Sequence, residues 1–150
     1  MAKVGRAAYA ASRARLEVVT ADKTIGANES GELYAIDAGG AVAITLPSDA
    51  QDGTRYKFMI IDDVTGGTVT ITTGTTGTQP FQGGILFADD DLADAAVDVV
   101  KADGASSGDD VVTLQATTEQ GSWVVCVYDA DNSRWLLEGM VSAATAPAMS

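Results

Sequence analysis

Histidine is absent from this 150-residue chain, and cysteine occurs once, at Cys126. Without imidazole, Ser-His-Asp triads, His-containing zinc sites and histidine acid–base chemistry are all excluded. One cysteine excludes an intrachain disulfide, which fits assembly in a reducing compartment. Basic residues are scarce as well: 9 Lys and Arg stand against 21 Asp and Glu, for a formal net charge of −12. Phosphate contacts need Lys and Arg, so no nucleic-acid partner is expected. No apolar run reaches the length of a membrane span, and arginines interrupt the N-terminus where a secretory signal needs an unbroken apolar core. Neither a membrane nor a secretory route is therefore expected.

The few basic residues are unevenly placed. Residues 1–16 hold Lys3, Arg6, Arg13 and Arg15 with no acid, a charge of +4, while 5 basic and 21 acidic residues give the remainder −16. Ala and Arg favour a helix from Arg6 to Leu16, but Tyr9 and Leu16 are its only large apolar side chains. Two readings stand: a frayed terminus, or a basic arm that orders against an acidic groove on a partner. Both place it outside the core. The rest is long enough for one domain that buries about 68–70% of its unfolded surface.

That domain is organised around Leu33 to Asp63, read as three strands and two turns. Leu33 to Asp37 is a short strand, and Gly39-Gly40 turn the chain. Val42, Ile44 and Leu46 then alternate with Ala41, Ala43 and Thr45 until Pro47 ends the strand. After a polar loop, Tyr56, Phe58 and Ile60 point one way, and Arg55, Lys57, Met59 and Ile61 the other. Further strands are predicted at Leu16 to Thr20, Thr68 to Thr73, Ala95 to Lys101, Asp110 to Gln115, Ser122 to Asp129 and Ser133 to Glu138. Gly74 to Gly84 reads as a loop, with Phe81 and Ile85-Leu86-Phe87 packing down. Val141 to Ser150 reads as a tail that is either disordered or laid along a neighbouring subunit. Short strands between Gly and Asp turns, with no convincing core helix, predict a single all-β domain over residues 17–140, a sandwich or barrel of jelly-roll or β-tulip type.

Candidate chemistry is thin. Asp89, Asp90, Asp91 and Asp94 match no EF-hand spacing and read as a solvated acidic turn, so no metal is expected. Asp62 and Asp63 are adjacent on a strand, hence on opposite faces, which no glycosidase pair tolerates. Cys126 sits among valines as a small buried hydrophobe, and no hydroxyl has a base to activate it. The chain is not expected to be an enzyme or to need a cofactor. Tyr56, Phe58, Trp123 and Trp135 are expected in the core or at a subunit interface.

Residues 121–139, GSWVVCVYDADNSRWLLEG, pair an apolar strand with an Asp-Ala-Asp-Asn turn and a returning strand carrying Trp135. This resembles the closing hairpin of β-rich head proteins of tailed bacteriophages. The central unit is similar too: Gly31 before a strand ending in Asp37, then Leu46-Pro47, then Gly53 leading into Tyr56-Lys57-Phe58. The resemblance implies a capsid decoration (cement) protein, a homotrimer bound to major capsid protein on the outer surface of the virion and assembled in the host cytoplasm. Lys3, Arg6, Arg13 and Arg15 would then reach the capsid while β faces pack between protomers. The alternative is the receptor-binding head domain of a phage fibre, which predicts exposed aromatics contacting host glycans from the 74–91 loop.

Overall fold

An apolar residue at every second position gives each strand one face to bury, and two such faces packed together satisfy all of them at once. The computed structural model describes residues 15–90, 97–104 and 108–150. In chain order the strands are β1 (Leu16–Val19), β2 (Lys23–Thr24), β3 (Leu33–Asp37), β4 (Val42–Thr45), β5 (Arg55–Asp62) and β6 (Val69–Thr72). They continue as β7 (Phe81–Asp89), β8 (Val97–Asp103), β9 (Val111–Leu114), β10 (Trp123–Asp129), β11 (Arg134–Ala143) and β12 (Ala148–Met149). The only helical element among the described residues is a 3-10 turn, Ala27–Glu29.

The strands form two packed sheets, an all-β sandwich. Seven run in the order β1-β3-β5-β10-β11-β7-β8, and five in the order β12-β9-β6-β4-β2. From β1 to β6 the chain alternates sheets at every strand. Thus β1, β3 and β5 pair in parallel in one sheet, and β2, β4 and β6 in the other. Parallel neighbours need a crossover, and here a strand of the opposite sheet supplies it where an α/β protein would use a helix. This solenoid-like winding differs from the antiparallel Greek keys of a jelly roll. The second half is mixed: the β10–β11 hairpin is inserted between β5 and β7, and β7 pairs in parallel with β11 and antiparallel with β8.

The core lies between the sheets. Val42, Ile44 and Leu46, Tyr56, Phe58 and Ile60, and Val69 and Ile71 are all buried, as their alternation predicts. A run of rings crosses it: Tyr34 stacks on Phe58 at 5.5 Å, Tyr34 approaches Tyr56 at 6.2 Å, Tyr56 lies 6.0 Å from Trp135, and Trp135 lies 5.1 Å from Tyr128. Cys126 is enclosed here, and burial pushes its thiol pKa well above the ordinary range, as expected for an inert hydrophobe.

Three stretches differ from the sequence reading. Residues 81–84, assigned to a loop, begin the nine-residue strand β7. The 141–150 tail is structural: Val141–Ala143 complete β11, and Ala148 and Met149 pair with Thr113 and Val112 of β9. Leu16, read both as the end of an arm helix and as the start of a strand, opens β1 as the strand reading has it, and the Arg15 carbonyl already accepts from the Leu33 N–H at 2.8 Å. The rest of that arm lies outside the described residues.

Gly83 explains why β7 is hard to read. It has φ +142° opposite Leu137, and a Cβ there would run into the Leu137 carbonyl. Glycine is required at that point for the close approach of β7 to β11, and glycines are also what a loop is read from. Gly83→Ala is expected to cost more than about 2 kcal/mol. The urea midpoint measures this, and an unchanged midpoint would refute the stated role.

Candidate interaction surface

The outward face of the seven-stranded sheet is unusually apolar. Among the described residues, all the large apolar side chains that are well exposed lie on it: Leu16 and Val18 of β1, Ile61 of β5, Leu86 of β7, Val97 and Val99 of β8, and Leu136 and Met140 of β11. Inter-strand register lines several of them up. One row runs Val18, Ala35, Met59, Trp123, Met140, Leu86, Val99 across all seven strands, each residue the Cα partner of the next. The adjacent row runs Leu16, Leu33, Lys57, Val125, Glu138, Gly84, Lys101. The first row has no charge; the second carries Lys57, Glu138 and Lys101. Lys57 also lies over the Trp123 ring at 5.1 Å. Beside it, Gly31, Glu32, Leu33, Arg55 and Lys57 line a recess of about 260 Å³.

The sequence candidates are scattered by the fold. Tyr56, Phe58 and Trp135 are core residues, as is Phe81. Trp123 is the one candidate on the outer face. Lys3, Arg6 and Arg13 lie outside the described residues, as do Asp91 and Asp94. Asp89 ends β7, and the Asp90 N–H donates to the Ala143 carbonyl at 3.4 Å. Asp62 closes β5, and the Asp63 carboxylate accepts from the Gln120 N–H at 2.8 Å, a loop-bracing role.

Arg15 belongs to a cluster that the sequence did not disclose. Carboxylate oxygens of Glu17, Glu29 and Glu32 lie within 4.8 Å of one another. Lys23 stands among them, 2.9 Å from Glu17 and 3.2 Å from Glu29, and Arg15 lies 3.8 Å from Glu17 and 3.6 Å from Glu32. The Lys23 ammonium also approaches the Tyr34 ring at 5.5 Å. The group links β1, β2, the 3-10 turn and the start of β3, where Glu32 precedes Leu33. Partial burial disfavours the Lys23 charge, but hydrogen bonds and Coulomb attraction from Glu17 and Glu29 outweigh it and raise its pKa above 10.5. The Gly26 N–H, donating at 2.7 Å, and then Lys23 hold Glu29 below the usual carboxylate range against its own desolvation. Tyr56, whose hydroxyl donates to the Gly26 carbonyl at 2.9 Å, is pushed up to about 12 by burial and then by Glu29. The ammonium takes the place a bound cation would take, so the cluster is a brace.

Comparison of the chain with profiles of known protein families, and with curated proteins, found nothing that matches.

The brace has a signed pH dependence. Glu29, with its lowered pKa, adds stability that is present above the ordinary carboxylate pKa and lost as pH falls through its folded value. Lys23, with its raised pKa, adds stability that is complete below 10.5 and lost as pH rises through its folded value. Lys23→Met is expected to lower stability by about 1–2 kcal/mol at pH 7. The loss should shrink as pH falls through the lowered folded value of Glu29. Thermal melts across pH check this, and a penalty independent of pH would remove the electrostatic account.

Proposed function

We propose that this protein is a non-enzymatic structural component that associates with other copies and decorates the outer surface of a tailed-bacteriophage head. The observation that carries the binding role is the apolar outer face of the seven-stranded sheet. Exposed apolar residues on soluble domains are normally scattered singly, and a contiguous row marks a contact surface. The phage setting is supported by the resemblance of residues 31–58 and 121–139 to β-rich head proteins. It is also consistent with a chain that lacks histidine and whose one thiol is buried.

In this reading the work is divided. The sheet face joins subunits through apolar burial, and Lys3, Arg6 and Arg13 steer the assembly onto an acidic or carbonyl-rich shell of major capsid protein, Arg15 being paired with Glu17 and Glu32 instead. Each arm contact is weak, and several per oligomer act together. The fibre-head reading requires aromatics presented to glycans; Phe81 and Trp135 are buried, which weighs against it, and of the three candidates Trp123 alone reaches the outer face.

The full chain is expected to co-sediment with undecorated phage heads with an occupancy that falls as salt is raised, and protein lacking residues 1–14 to bind less at low salt and with little salt dependence. Truncation there spares β1, which begins at Leu16. No binding of the full chain at saturating concentration would end the decoration reading, and undiminished binding of the truncated chain would rule out the arm.

A further inference from the structure

The geometry points to a second copy of this chain as the occupant of the outer face, paired about a two-fold axis that lies in the interface over Trp123 and Val125 of β10. This rests on the reading of that face as the protein's binding surface and adds which partner it takes and how.

Symmetry comes first. A two-fold contact uses one patch twice, whereas a closed ring of three needs two different patches that fit each other. The well-exposed large apolar residues among the described residues all belong to one sheet face. A single patch suits the two-fold, in place of the homotrimer that the resemblance implies.

Register supplies complementarity. An axis near the direction of β10 exchanges β5 with β11, β3 with β7, and β1 with β8, because these strands flank β10 in that order. In the apolar row this sets Met59 against Met140 of the second copy, Ala35 against Leu86, and Val18 against Val99, with Trp123 beside its counterpart. Ala35 is already buried by its own neighbours, so Leu86 of the second copy packs over a low point in the face. In the adjacent row Lys57 falls opposite Glu138 of the second copy, and Leu33 opposite Gly84. One row further, Arg55 falls opposite Leu136, whose exposed side chain meets the recess lined by Arg55 and Lys57. Thus Lys57 is matched by Glu138 twice per pair, while Lys101 falls opposite Leu16. Tilting the axis by about 15° from β10 gives the roughly 30° angle at which aligned sheets pack.

Area is sufficient. Six inter-strand spacings of about 4.8 Å make the face about 29 Å wide, and the central strands run about 25 Å, for a face of the order of 700 Å². A standard interface buries ~800 Å² per partner.

Sedimentation equilibrium on the full chain at micromolar concentration tests the pairing. A dimer is expected, twice the 15.3 kDa chain mass. The double variant Leu86→Lys with Met140→Glu should be monomeric, with an unchanged circular dichroism spectrum, since both side chains are already more than 40% exposed. Lys57→Glu and Glu138→Lys should each weaken pairing by about tenfold or more, and an equimolar mixture of the two should recover it, because the mixed pair restores both opposite-charge contacts. A monomer at about 100 µM, a trimer, a dimer untouched by the double variant, or a mixture that fails to recover would each overturn the proposal. Failure to bind heads by a chain that still pairs would instead overturn only the decoration reading.

Discussion

Burial of the rings of Tyr34, Phe58, Tyr56, Trp135 and Tyr128 between two sheets is the contact on which the other features rest. These side chains come from β3, β5, β10 and β11, so closing them together requires the parallel winding of the first half and the hairpin of the second to meet in one sheet. Large aromatics dominate core energetics because each buries ~150–250 Å², and ring pairs at these separations add a little more. Once they are enclosed, the opposite side of the same strands is fixed as the outer face. Alternation leaves no other choice.

The consequence is an asymmetry between the two faces of one sheet. The inner face is saturated with apolar contacts. The outer face carries a row that is nearly as apolar and has no second layer over it within the described residues. A strand that faces water on one side normally alternates cleanly between apolar and polar. Here Val18, Met59, Trp123, Met140, Leu86 and Val99 break that rule on strands that are far apart in the chain. Charge sits beside the row: Lys57 and Glu138 lie one pleat away, with the Lys57 ammonium over the Trp123 ring, and the Lys23 cluster lies at β1 and β2. Cys126 is enclosed, and Lys23 and Asp63 are spent on bracing.

Much of the strand content was legible in the sequence. The turns at Gly39-Gly40 and around Gly53, the stop at Pro47 and the period-two alternation marked β3, β4, β5 and β6 to within a residue or two. The Asp129–Asn132 turn was legible because its chemistry is local: the Asn132 side chain donates to Asp129 at 2.7 Å, which holds that carboxyl below its usual range. Strand β7 was not, because its glycines answer to the Leu137 carbonyl across the sheet. Nor was β12, a two-residue strand made by its partner in β9. The brace joins Arg15, Glu17, Lys23, Glu29 and Glu32, which in sequence look like ordinary solvated charges.

Composition and alternation by themselves determined that this chain is all-β, that imidazole and disulfide chemistry are closed to it, and which side of each strand turns inward. They could do so because those properties depend on residue type and on neighbours two positions away. Tertiary structure alone decided the strand order, and with it the identity of the outer row. Val18 and Val99 sit at opposite edges of one sheet, and Trp123 meets Met59 and Met140 only through register. Hydrogen bonding between distant strands sets that register, and no local pattern encodes it.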